Sequence, residues 1–201
     1  MWLVMLRTDA ANMRQRGDTI IEVLLAVAVF SMIAIGTIVV MNQGSASAQR
    51  ALEITQVKEQ INTQADLLRA LAQDNLAERG KNSFNPTWKS ITDQNDTGSI
   101  TVGDQCPTTF SNVFALNPRT IQKVNTIRSI ELNTAATPPY AKIVSTGATT
   151  ADSYGIWIEK QTAQQIPNVP DAFDFYIKAC WYSAGSSVPM TLQTTVRLYN
   201  A

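Results

Sequence analysis

The chain has 201 residues, with 16 Lys and Arg balanced by 16 Asp and Glu, and no histidine. Zero formal net charge supplies no electrostatic drive toward nucleic acid or an acidic ligand. The missing histidine removes the commonest general base, the Ser–His and Cys–His nucleophile pairs and the commonest metal ligand. The two cysteines, Cys106 and Cys180, cannot build a zinc site alone. In an exported domain they read as one disulfide, and otherwise as two small buried thiols.

The chain opens on the apolar Met1-Trp2-Leu3-Val4-Met5-Leu6 and then carries Arg7, Arg14 and Arg16. Met1 and Met13 are alternative starts, the second leaving the short basic leader Met13-Arg14-Gln15-Arg16-Gly17. From Ile20 to Met41 the only charge is Glu22. About 20 apolar residues cross a bilayer, so this stretch is long enough to span one. The arginines before it place the N-terminus in the cytoplasm and the rest of the chain outside. The run is too long for the core of an ordinary signal peptide. A plain anchor fits the length but gives Glu22 no purpose, although an acid near a helix start is tolerated by the dipole and the interface.

Gly17-Asp18-Thr19-Ile20-Ile21-Glu22-Val23, after a basic leader and before a long apolar run, resembles the prepilin processing motif of type IV pilins and pseudopilins. The resemblance covers about the first third of the chain. It implies cleavage between Gly17 and Asp18 by a prepilin peptidase on the cytoplasmic side. It also implies that Glu22 pairs with the N-terminal amine of a neighbouring subunit, a register mark in an otherwise slippery apolar interface. The sequence departs from the family pattern in two places. The first mature residue is Asp18 where Phe or Met is usual, with an amine that is usually methylated, and Asp18 and Glu22 repel at i,i+4. The membrane run also has no mid-segment proline, leaving Gly36 as its soft point.

Beyond Asn42-Gln43-Gly44-Ser45 helical spacing resumes. Ile54, Val57, Ile61, Ala65, Leu68, Ala72 and Leu76 form one apolar stripe, with Glu53, Lys58, Glu59, Gln60, Asp66 and Arg69 on the other faces. A near-continuous helix over 19–79, roughly 90 Å long at 1.5 Å per residue, ends near Gly80. A free coiled coil is the alternative for its second half. Residues 81–103 read as loop, with Ser99–Val102 as a short strand. Further strands are expected over 126–132, 141–145 and 154–159. Phe173 to Tyr182 alternates, with Phe173, Phe175, Ile177, Ala179 and Trp181 on one face. Thr191 to Tyr199 follows after the turn residues Ser183 to Ser187, which predicts a hairpin.

The predicted fold is therefore α+β, with a long N-terminal transmembrane and amphipathic helix packed on a C-terminal antiparallel sheet, a pilin-like architecture. Residues 1–17 are the leader, 18–41 the membrane helix, 42–79 its amphipathic continuation and 80–201 the extracytoplasmic domain. A Cys106–Cys180 bridge resembles the stapled C-terminal region of many pilins. No catalytic constellation stands out, so an enzyme is not expected, nor a metal or cofactor. Asp93-Gln94-Asn95-Asp96-Thr97-Gly98 is only a partial match to a calcium loop. Trp88, Trp157 and Trp181 read as core or interface residues rather than a surface for sugars or DNA.

The resemblance implies a structural subunit of a type IV pilus-like filament. Its partners would be copies of itself and other pilins, the prepilin peptidase, the membrane and the inner-membrane assembly platform, with no nucleic acid bound directly. The precursor would be a single-pass cytoplasmic membrane protein and the product a cell-surface filament. The alternatives are a pseudopilin of a type II secretion or DNA-uptake machine, and an uncleaved membrane-anchored extracellular binding domain.

Overall fold

A computed structural model describes residues 18–78, 85–124, 126–131, 137–163 and 171–200. The chain forms two units, residues 1–48 and 49–201. Helix α1, Asp18–Glu78, runs through both as 61 continuous residues. Neither Gly36 nor the Asn42–Ser45 stretch interrupts it. Gly80, the expected stop, lies outside the described residues.

In the first unit the helix over Ile20–Met41 presents apolar side chains on every side, and none of these residues is buried. In the second unit it has one buried face. Val57, Ile61, Ala65, Leu68, Leu71 and Ala72 step by three and four along it. Gln64 and Asn75 are buried on that face too. Ile54 and Leu76, expected at the ends of the stripe, are exposed instead. Glu53, expected on a polar face, is buried and accepts a 3.3 Å hydrogen bond from Trp181 Nε1.

The buried face packs against an antiparallel sheet of β4 (Ile156–Thr162), β5 (Asp171–Tyr182) and β6 (Pro189–Asn200), in the order β4-β5-β6. Period-two alternation points Phe173, Phe175, Ile177, Ala179 and Trp181 of β5 into the shared core with Val57, Ile61 and Leu68. Burying each large apolar side chain contributes about 1.5–3 kcal/mol. The other face of β5 is partly covered as well. Cys180 and Trp157 lie there against Cys106, Phe110 and Val113. Loops therefore cover much of a face that alternation alone assigns to solvent.

A second, mixed sheet has the order β1-β3-β2, from β1 (Thr126–Arg128), β2 (Lys142–Ser145) and β3 (Ala151–Tyr154). β1 runs parallel to β3 and β2 antiparallel to it. The strand expected over 154–159 is thus two strands in different sheets, divided at Gly155. Gly155 has φ +66°, donates its N–H to Arg128 O and accepts from Cys180 N, each at 2.8 Å. A Cβ there would sit 2.3 Å from Cys180 O, so only glycine fits this crossing.

Residues 81–103, expected as loop, contain helix α2, Pro86–Thr92. Asn85 caps it, accepting from Thr87 N at 3.0 Å and Trp88 N at 3.3 Å, and Pro86 starts it with a preset φ. At its C-terminal end Lys123 donates to Ser90 O and Lys160 to Thr92 O, both at 2.8 Å. Trp88 and Ile91 turn into the core. Ser99–Val102 is not a strand. Ile100 is instead held by side chains, its N–H donating to Glu159 Oε1 at 3.2 Å and its carbonyl accepting from Lys178 Nζ at 3.0 Å.

Candidate functional site

Gly17 and the rest of the expected leader lie outside the described residues. Asp18 is the first residue of α1. Glu22 follows one turn later and is exposed. Around it Ile20, Ile21, Val23, Leu24 and Leu25 are 60–67% exposed, so apolar surface surrounds the helix on every side. Such a cylinder is long and apolar enough to cross a membrane.

The polar side chains inside this stretch are Glu22, Ser31 and Thr37. Ser31 Oγ donates to Val27 O at 2.7 Å, and Thr37 Oγ1 donates to Ile33 O. These back-bonds satisfy hydroxyls in an apolar medium at little cost. Glu22 makes no such contact with any described residue. A carboxylate in hydrocarbon costs several kcal/mol unless paired or hydrated. Within Ile20–Met41 it is the one polar side chain whose partner has to come from outside its own helix.

The remaining candidates lie in the second unit. Cys106 and Cys180 are joined in a disulfide, with Cα atoms 5.6 Å apart across 74 residues of sequence. The bridge ties the loop at 106 to β5, and Cys106 N also donates to Tyr182 Oη at 3.2 Å. Trp88, Trp157 and Trp181 are all buried, as core residues rather than a binding surface.

Asp96, in the stretch that partly matches a calcium loop, is engaged by the protein. It accepts from Thr162 N at 3.0 Å and Thr162 Oγ1 at 2.8 Å, and Lys160 Nζ lies 3.5 Å away. Partial burial pushes its carboxyl upward, but the bonds from Thr162 and the Lys160 charge outweigh that and hold it below the usual range. No three His, Cys, Asp or Glu side chains gather as a metal site among the described residues.

Polar anchors that sequence reasoning missed hold the domain together. Gln64 Nε2 donates to Leu116 O and Leu116 N donates to Gln64 Oε1, both at 2.8 Å. Glu159 is buried, 2.9 Å from Lys178 Nζ, and accepts from Trp157 Nε1 at 2.8 Å. The signal for Gln64 was available, because it lies three residues after Ile61 and four before Leu68, within the apolar stripe. Family models, curated proteins and solved structures contain no match to this chain.

Proposed function

We propose that the chain is a type IV pilin-like subunit, pilin or pseudopilin, cleaved after Gly17 and assembled through Ile20–Met41 into the core of a filament. The observation that carries the reading is Glu22. It is a single carboxylate without a partner in its own helix, on a cylinder otherwise apolar and exposed on all sides. Cleavage after Gly17 frees an α-amine four residues before it. In a bundle of such helices, the amine of one subunit supplies the positive charge that the carboxylate of another lacks. The hydroxyls of Ser31 and Thr37 need no such help, which makes Glu22 the register mark. The disulfide-stapled sheet domain then faces solvent and forms the filament surface.

Replacing Glu22 by Val tests this. The variant should insert and be cleaved normally but lose the shed filament fraction. Filaments at the normal level would remove the carboxylate from assembly and overturn the reading. One observation favours a second reading, an uncleaved membrane-anchored binding domain. Asp18 stands where the family usually has Phe or Met, and it repels Glu22 at i,i+4.

A further inference from the structure

The two edges of the β4-β5-β6 sheet are treated differently. Cys180 N donates to Gly155 O, so Cys180 and alternate residues of β5 bond toward β4. The intervening residues, from Phe173 to Trp181, bond toward β6, where their register partners are Leu198, Val196, Thr194, Leu192 and Met190. By the same alternation Ile158, Lys160 and Thr162 of β4 face its outer edge. That edge is closed. Ile158 exchanges both backbone hydrogen bonds with Phe114, Lys160 O accepts from Thr97 N, and Thr162 N donates to Asp96.

On β6 the outward backbone groups belong to Thr191, Gln193, Thr195, Arg197 and Tyr199. They meet no backbone partner among the described residues, and all five side chains are exposed. Past Pro189, which opens the strand, the usual guards of a free edge are missing as well. From Met190 to Tyr199 there is no proline, glycine, lysine or acid. The single charge, Arg197, is tied back to Asp174 on β5 by two bonds of 2.6 and 2.7 Å.

We infer that β6 is a pairing edge for a second copy of this chain, joined antiparallel about a two-fold axis at Thr195. In that register Thr195 faces Thr195 of the second copy. Gln193 faces Arg197, Thr191 faces Tyr199, and on the core face Leu192 lies opposite Leu198. Like charges never oppose. Each of these outward pairs is of the hydrogen-bonded kind, which gives about ten inter-chain bonds. The match of one strand to itself selects a second copy over an unrelated strand. Such a contact is isologous and closes on itself, so it links chains side by side and does not lengthen a filament. It stands whether or not the filament reading holds.

Cysteine cross-linking of the full chain in detergent tests the register. Thr195→Cys puts two thiols on the axis, with Cα atoms about 5.5 Å apart, within disulfide reach. It should give a reducible dimer under mild oxidation. Thr191→Cys, which faces Tyr199 of the second copy, should form no cross-link. Thr195→Pro removes the central outward N–H without touching the bonds to β5, and should convert the dimer to monomer in analytical ultracentrifugation. A Thr195→Cys chain that forms no reducible cross-link, or equal cross-linking of both cysteine variants, overturns the inference. So does a Thr195→Pro chain that sediments as the same dimer.

Discussion

Gln64 is the sharpest place to test how the amphipathic half of α1 is held. Its amide closes a two-bond ring on the backbone of Leu116, with both bonds 2.8 Å long and the side chain fully buried. Gln64→Met keeps the length and removes both partners. A buried N–H and a buried carbonyl are then left unpaired, at about 1–3 kcal/mol each. The new apolar contact recovers part of that, leaving a net loss of about 3 kcal/mol. For a domain of this size each kcal/mol moves the melting point about 2–4 °C, so Tm should fall by about 6–12 °C. Near-UV circular dichroism of the full chain in detergent reads it, and hydrogen exchange should show the Leu116 amide losing protection. A loss below about 1 kcal/mol with Leu116 still protected would mean that apolar contacts alone seat the helix, and would refute the reasoning.

Gly155→Ala should cost about 2 kcal/mol or more, because a left-handed backbone is strained for alanine and its Cβ would meet Cys180 O; chemical denaturation measures it. Replacing Cys106 and Cys180 together by serine should cost roughly 4 kcal/mol by the loop-entropy model, read as a lower denaturant midpoint. Hydrogen bonds from Arg197 hold the Asp174 carboxyl below its usual range, and the bonds from Thr162 do the same for Asp96 against partial burial. A depressed folded-state pKa contributes stability above the unfolded value, about 3.9, and that contribution is lost as pH falls through the folded value. Acid unfolding of an Asp96→Asn, Asp174→Asn double variant should therefore be shallower than wild type below about pH 4 and parallel to it above.

The long elements were legible in the sequence. Sixty-one residues of helix followed from a long apolar run and the stripe after it, and the β5–β6 hairpin from alternation on either side of turn residues. The failures are short or depend on tertiary partners. Three residues of β1 carry too little pattern to reveal a parallel pairing with β3. Gly155 reads as an interruption of one strand, and only the sheet crossing makes it a boundary between two. α2 was signalled by Asn85-Pro86 but overlooked amid loop-like composition. Ser99–Val102 has strand-like residues, yet its central backbone groups are taken by the Glu159 and Lys178 side chains. At the candidate assembly site the legible residue was Glu22, since one acid in an apolar run needs no structure to be noticed. The lack of a partner in its own helix needed the structure, as did the self-satisfied hydroxyls of Ser31 and Thr37.

The N-terminus of the mature protein tests the central claim most directly. Intact-mass measurement on membrane and shed fractions should find a chain that begins at Asp18, with or without a methyl group on its amine. A chain that still carries Arg14-Gln15-Arg16-Gly17 in both fractions would contradict processing at Gly17, and with it the assembly role assigned to Glu22.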